Sequence, residues 1–246
     1  MTETTVLTFV FFCIALLSAM VGHAGASAYL ATMVIAGMAP AEMKPIALLL
    51  NIVVASITTT IYMRRGYFSW DVFWPFAASS IPCAFLGGAL PMHGAIYKIL
   101  VGLALIFTAL RFLFNAQKIQ TSEAIYRIPS KTLSLVIGSG LGLLSGMTGV
   151  GGGIFLSPLL LTFRWSTPRT TSGISAAFIL LNSMAGLLGH GFATHSLPPH
   201  IGLWALTVGC GGCLGAALGS SSLRPRQIYY ALSTLLLIAG IKLIAL

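Results

Sequence analysis

Two glycine-containing breaks interrupt apolar stretches of the sequence and carry its clearest chemical signal. The first is Gly-His-Ala-Gly-Ala-Ser at residues 22–27, and the second is Thr-Gly-Val-Gly-Gly-Gly at residues 148–153. A short apolar segment follows each break. Hydrocarbon cannot satisfy the backbone groups of such a break, so the break must lie against protein or a wet cavity. The N–H groups that begin the following helix attract anions. The breaks therefore predict an anion site built mainly from backbone amides.

Polar side chains near the breaks extend this candidate site. His23 could donate to an anion or titrate during transport, or it could simply bond a neighbouring carbonyl. Asn51 and Asn182 occupy equivalent places in two apolar segments, where an amide could bind substrate or only another helix. The predicted substrate-binding residues are Gly22, His23, Ala24, Gly25, Asn51, Ser145, Thr148, Gly149, Gly151, Gly152, Gly153 and Asn182. No catalytic residue, metal ligand or cofactor is predicted.

Cysteine and histidine pairs elsewhere resemble metal or redox motifs only in spacing. Cys210 and Cys213 have the spacing of a redox or zinc pair, but they lie in an apolar segment without nearby histidine or acidic residues. Small-residue packing explains that segment better. Three further histidines surround a Pro-Pro loop and do not share one face, namely His190, His195 and His200.

The acidic residues are few, and all lie in or near loops. They are Glu3, Glu42, Asp71 and Glu123. Cation-coupled pumps usually carry a carboxylate inside the membrane. The absence of such a residue from the apolar segments favours an anionic substrate and leaves the coupling ion open.

Composition places these residues in a membrane. Of the 246 residues, 57% are hydrophobic and 7% are charged, whereas soluble domains carry about 25% charged residues. The net charge of +9 sits in short loops, so no nucleic-acid partner is expected, and the lipid bilayer is. The first apolar run is preceded by Glu3 and by no lysine or arginine, which favours a transmembrane helix over a signal peptide.

Ten apolar segments predict an all-α polytopic membrane protein with eight long and two short segments. The first five cover residues 5–21, 27–38, 45–63, 72–90 and 95–114. A polar linker at 115–131 precedes the other five, at 132–148, 153–163, 173–189, 200–219 and 227–246. Matching landmarks recur in the same order, such as Ser18 with Ser145 and Gly87 with Gly215. The chain is therefore interpreted as two five-segment repeats, 1–114 and 132–246.

Charge placement predicts the topology. If all ten segments cross, one side receives Arg64, Arg65, Arg111, Lys118, Arg127, Lys131, Arg164, Arg169, Arg224 and Arg226, and the other only Lys44, Lys98 and Lys242. This asymmetry follows the positive-inside rule, whereas re-entrant short segments would divide the charges about evenly. An odd number of crossings per repeat inverts the second repeat relative to the first. Both termini are then periplasmic in a bacterial inner membrane. Inverted repeats are typical of secondary transporters.

The second break and its surroundings resemble the sulfite exporter TauE/SafE family of bacterial anion permeases. The resemblance rests on Gly-Leu-Leu-Ser-Gly-Met-Thr-Gly-Val-Gly-Gly-Gly-Ile-Phe-Leu-Ser-Pro at 142–158, and on Thr171-Ser172, Gly215, Arg226 and Gly240. It implies export, or in some members uptake, of sulfite, sulfonates or related sulfur oxyanions. The first break departs from the family pattern, since His23-Ala24-Gly25-Ala26 stands where members commonly have further glycines. This difference could tune the substrate toward an organosulfonate.

The leading hypothesis is therefore a non-enzymatic exporter of sulfur oxyanions that works by alternating access. A channel for the same anions fits the sequence as well. An intramembrane serine hydrolase is the third alternative, with Ser27 and His23 or Ser175 and His190 as the dyad. The second pair would lie over about 20 Å apart on one helix, at ~1.5 Å per residue. The small size of the chain suggests a homodimer.

Overall fold

The computed structural model describes residues 2–90, 94–117, 127–191 and 198–221, together with Leu237, Ile241 and Ile244. All regular structure in these ranges is helical. The helices are α1 (Thr2–Met20), α2 (Ala26–Ile35), α3 (Pro40–Arg64), α4 (Trp70–Ala89), α5 (Gly94–Gln117), α6 (Lys131–Thr148), α7 (Gly153–Thr162), α8 (Pro168–Gly189) and α9 (Ile201–Gly219). The predicted last segment, 227–246, lies outside the described residues except for those three positions.

Each of these helices coincides with a predicted apolar segment. The largest differences are at the starts of α3 and α8, which begin at Pro40 and Pro168, about one turn before the apolar runs. Proline fits the first helical turn, because its missing N–H would have no acceptor there. At α8 the Thr167 side chain also accepts from the Thr170 N–H. Polar first turns therefore extend helices beyond what hydropathy indicates.

Four of the helices, α3, α4, α8 and α9, are long and apolar enough to cross a membrane. The described part of the chain is thus that of a multi-pass helical membrane protein. The two short helices lie inside the bundle. In α2 every residue from Ala26 to Val34 is buried, and α7 buries Gly153, Leu156 and Pro158 among others. The N-terminal ends of both helices are consequently shielded by protein, whereas their C-terminal ends at Ile35 and Thr162 are exposed.

The order of helix lengths recurs along the chain. Helices α1 to α4 have 19, 10, 25 and 20 residues, and α6 to α9 have 18, 10, 22 and 19. The breaks recur as well. Gly22 and Gly149 have φ angles of 78° and 79°, and Gly25 and Gly152 have φ angles of 98° and 74°. Side chains strongly disfavour this left-handed region, which is why glycine occupies both pairs of positions.

The two halves exchange equivalent contacts. Helix α1 packs along α9, and α6 packs along α4. In the first pair a side chain at Gly215 would collide with the carbonyl of Leu16, and in the second a side chain at Gly87 would collide with the carbonyl of Leu143. Both contacts bring two helix backbones together, as small residues do in membrane bundles. Gly87 with Gly215, and Leu16 with Leu143, occupy matching places in the two halves.

Helices α3 and α8 pack against each other at the centre and run in opposite directions. Near the middle of α3, Asn51 donates to Ser183 in the second half of α8. Near the end of α3 and the start of α8, Gly173 lies against Tyr62. The basic end of α3 contacts the end of α9, where Arg65 donates to the Ala217 carbonyl. The two glycine breaks therefore pack against an antiparallel helix pair.

Candidate substrate site

The first break ends in a helix start that has buried and uncommitted donors. Gly25 caps α2 without a side-chain hydrogen bond, and the first intrahelical bond runs from the Tyr29 N–H to the Gly25 carbonyl at 2.9 Å. The N–H groups of residues 26–28 precede that ladder, as in every α-helix. All three residues are buried, and the Ser27 hydroxyl has no hydrogen-bond partner in the described part of the chain. This start therefore presents several donors among buried residues.

The second break satisfies many of its own backbone groups. The Gly149 N–H donates to the Ser145 carbonyl at 2.9 Å, the Gly153 N–H to the Gly151 carbonyl at 3.0 Å, and the Phe155 N–H to the Gly152 carbonyl at 3.0 Å. The left-handed glycines allow this compact turn. Although the second break contains more glycines, it leaves fewer amides for a ligand. The two breaks are therefore not equivalent as anion sites.

The two asparagines also differ. Asn51 Nδ2 lies 3.3 Å from Ser183 Oγ and 3.5 Å from the Val150 carbonyl, so it connects α3, α8 and the second break. Asn182 Nδ2 donates to the Phe178 carbonyl of its own helix at 2.8 Å. Both side-chain oxygens are buried without a partner among the described residues. Asn51 thus contacts the second break directly, whereas the side-chain amide of Asn182 bonds within its own helix.

His23 connects the first break to the second half of the chain. Its Nδ1 lies 3.2 Å from the Val21 carbonyl and its Nε2 lies 3.1 Å from Ser157 Oγ on α7. Ser157 Oγ in turn lies 2.7 Å from Ser175 Oγ on α8. All three side chains are buried. The first break also contacts α8, since Gly22 packs directly on Ser172.

Lys44 is a buried cation beside the second break. Only 5% of the residue is exposed, and its side chain packs beside Gly149. Its Nζ donates to the Gly88 carbonyl near the end of α4 at 3.1 Å. The sequence predicts that the basic residues lie in short loops, and Lys44 does not lie in one. Helix α3 begins at Pro40, so Lys44 lies inside the helix and faces protein.

The remaining predicted residues cluster at the breaks. Ala24 is buried in the first. At the second, Ser145 lies beside Gly152 and its hydroxyl is buried without a partner in the described ranges. Thr148 Oγ1 donates to the Leu144 carbonyl at 2.7 Å and accepts from the Val150 N–H.

Three site residues were missed from the sequence, namely Lys44, Ser157 and Ser183. The available signal was a polar residue in an apolar helix. Ser157 follows the second break by one helical turn, and Ser183 is adjacent to Asn182 in the sequence.

The alternative motifs lie elsewhere. Cys210 and Cys213 are exposed on α9, whereas Gly211 between them packs against the backbone of α1. The packing role therefore belongs to the glycines of this motif. No group of three metal-ligating side chains occurs within the described ranges, and His195 lies outside them. His23 contacts Ser157 rather than Ser27, so the first hydrolase dyad considered from the sequence is not formed.

Comparison with known proteins identifies the family. The sequence profile of the family described as "Sulfite exporter TauE/SafE" matches residues 7–243. The chain is also 37% identical over 244 residues to "Probable membrane transporter protein y4hK" from Sinorhizobium fredii (strain NBRC 101917 / NGR234), covering 99% of both chains. No solved structure matches the chain. A helical multi-pass bundle, two buried glycine breaks and a match over nearly the whole length together show that this chain is a membrane transporter belonging to the sulfite exporter TauE/SafE family.

Proposed function

We propose that the protein is a secondary transporter that exports small sulfur oxyanions, either sulfite or organosulfonates, across the bacterial inner membrane. The name of the family supplies the substrate class. The two breaks bind the anion between the repeats, and one repeat moves against the other to expose the site alternately to each side. The reaction is transport and involves no covalent step.

The buried cation Lys44 is the observation that most directly supports an anionic substrate. Its ammonium group has three donors, and the one side-chain hydrogen bond that the structure gives it goes to the Gly88 carbonyl. No carboxylate of the described residues forms an ion pair with it. A buried charge is costly unless another charge or several hydrogen bonds compensate it. An anion beside the second break supplies that compensation.

The first break contributes donors rather than charge. The buried N–H groups at the start of α2 and the Ser27 hydroxyl offer a second set of contacts for an oxyanion. Ser27 and the helix start belong to the first half of the chain, as does Lys44, but Lys44 packs on the second break. Residues of both halves therefore participate in binding. Relative movement of the halves then changes the site.

The antiparallel packing of α3 and α8 supports two inverted repeats, 1–114 and 132–246. An axis in the membrane plane reverses equivalent helices, and these two occupy equivalent places. The reciprocal contacts of Gly87 and Gly215 with the opposite half agree with the same symmetry. We propose ten crossings with both termini in the periplasm, so that the basic end containing Arg65 and Arg169 faces the cytoplasm.

Counterflow in proteoliposomes tests this function against the channel alternative. A carrier loaded inside with unlabelled sulfite should take up external ³⁵S-sulfite faster than empty vesicles do, because the return step is faster with substrate bound. Isethionate inside should accelerate uptake equally if sulfonates are substrates. A channel shows saturable flux without this acceleration. Vesicles that lack sulfite-dependent flux altogether would overturn the proposed function.

A further inference from the structure

The hydrogen bonds around His23 fix where its protons lie. The Val21 carbonyl can only accept, so His23 Nδ1, at 3.2 Å, carries a hydrogen and donates it. The protonation of Nε2 then depends on Ser157, whose Oγ lies 3.1 Å away. Neutral imidazole has one donor nitrogen, while imidazolium has two. The neutral ring therefore accepts from Ser157, and the charged ring donates to it.

The Ser157 hydroxyl has one proton, which can point either to His23 or to a carbonyl of its own helix. Its Oγ lies 2.9 Å from the Gly153 carbonyl on its own helix and 2.7 Å from Ser175 Oγ. When His23 is neutral, the Ser157 proton points to Nε2. When His23 is charged, Nε2–H donates to Ser157, whose proton turns to the Gly153 carbonyl. Ser175 can donate to Ser157 in both states, so only the acceptor of the Ser157 proton changes.

We propose that His23 is the proton site that couples anion transport to the proton gradient, an inference that rests on the transport function proposed above. Nε2 takes one proton from water on one side of the membrane and returns it to water on the other. The proton and the anion travel together, and the negative charge that remains on a sulfite dianion with one proton lets the inside-negative membrane potential drive export. No bond other than N–H forms or breaks, and no other reactant is required.

The placement of His23 explains why an anion and a proton would bind together. His23 precedes Gly25, the cap of α2, by two residues, so it lies beside the donors that we assign to the oxyanion. A neighbouring negative charge favours the imidazolium form, and the imidazolium in turn lowers the cost of burying the anion. Each partner therefore increases the affinity of the site for the other.

The chain of hydrogen bonds also relays the state of the first break to the second. Gly153 is the first residue of α7 and the last glycine of the second break. Turning the Ser157 proton toward its carbonyl adds a contact there only when His23 is charged. Protonation of His23 in the first half thus changes a hydrogen bond at the start of α7 in the second half. We assign the trigger of repeat movement to this helix start.

The other ionisable groups near this chain lie on the elements around it. Tyr62 of α3 donates to the Met20 carbonyl at 3.0 Å, and Arg169 of α8 donates to Tyr67 at 2.9 Å. Tyr29 of α2 is buried one turn beyond the cap. Glu42 and Asp71 are exposed in the first turns of α3 and α4. Histidine is the group among these whose unperturbed pKa lies within the physiological range.

The test measures protons and anions in the same vesicles. Proteoliposomes containing internal pyranine receive ³⁵S-sulfite at alkaline pH, where little neutral SO₂ crosses lipid, and protein-free vesicles supply the background. The initial rates give the number of protons moved per sulfite. We expect His23→Gln to lower this ratio by one and to raise the KM for sulfite, while counterflow at saturating sulfite remains measurable. A gradient of one pH unit should change the sulfite accumulation ratio about tenfold in the wild type and not in the variant.

Matched variants separate coupling from folding. Ser157→Ala should lower the proton ratio and Ser157→Thr should restore it, because only the hydroxyl is needed. Thr32→Val is the control, since Thr32 is a buried hydroxyl bonded to its own helix at Ala28, and it should keep the wild-type ratio. If sulfite counterflow occurs and His23→Gln keeps the wild-type proton ratio, the coupling proposal is wrong. If the wild type shows no counterflow, the transport function fails first.

Discussion

Asn51 donates to Ser183 across 3.3 Å, joining the central helix of the first half to that of the second. The same amide reaches the Val150 carbonyl in the second break. Asn51→Leu keeps the side-chain volume but leaves both acceptors without this donor. Loss of a buried partner costs about 1–3 kcal/mol. We therefore expect a lower thermal unfolding temperature, measured by the tryptophan fluorescence of the protein in detergent.

Asn182→Leu is the matched comparison for this prediction. Asn182 occupies the equivalent place in α8, and the hydrogen bond that it donates among the described residues goes to Phe178 in its own helix. Its substitution should lower the unfolding temperature less than that of Asn51. Equal losses in the two variants would mean that the bond across the repeats adds no stability.

Lys44 should determine affinity for the anion. Lys44→Met keeps the apolar stem of the side chain and removes the charge beside Gly149. A hydrogen bond to a charged group is worth about 1.5–3 kcal/mol, which corresponds to a KM for sulfite that is roughly 10–150-fold higher. Lys44→Arg should retain most of the affinity. Arg169→Met, an exposed cation at the opposite end of α8, is the control and should leave KM within about twofold, as surface charges contribute little.

The charge of Lys44 should also affect the protonation of His190, which follows the end of α8. Burial, and then the positive charge of Lys44, lower the pKa of His190 below its usual 6.5. The neutral ring is therefore favoured in the folded protein. Its contribution to stability is present above pH 6.5 and is lost as the pH falls through the folded pKa. In Lys44→Met the pKa of His190 should rise, as measured by NMR of ¹⁵N-histidine. An unchanged titration would show that the two groups do not interact.

Hydropathy and the glycine pattern predict most of the fold but only part of the site. Apolar runs locate the helices because lipid and the buried core both require them, and the breaks appear as glycines that no helix interior favours. Lys44 could not be recognised as buried, since Pro40 and Glu42 before it resemble a loop. The contact of His23 with Ser157 joins residues 134 positions apart. No periodicity within one segment encodes such a contact.

Glycines on α6 provide a test of the packing between the halves. A side chain at Gly142 would collide with the backbone of Ser80 on α4, whereas Gly140, on the same helix, has no neighbour within 4 Å. Gly142→Ala should therefore separate α6 from α4 and lower the unfolding temperature. Gly140→Ala should raise it slightly, because alanine is favoured over glycine in a helix by about 0.5–1 kcal/mol. A similar effect of both substitutions would contradict the close contact.

Gly152 allows the role of the second break to be separated from the cost of its backbone. Gly152 and Gly37 have nearly equal φ angles of 74° and 76°. Alanine at either position bears the same left-handed strain, of order 1–2 kcal/mol. A side chain at Gly152 would press on Phe178 and Ser145 at 3.0–3.1 Å, while Gly37 faces open space. We expect both variants to lose stability, Gly152→Ala more because of this crowding, but only Gly152→Ala to lose most of its sulfite counterflow. If Gly37→Ala loses as much transport, strain alone explains the defect and the second break is not part of the site.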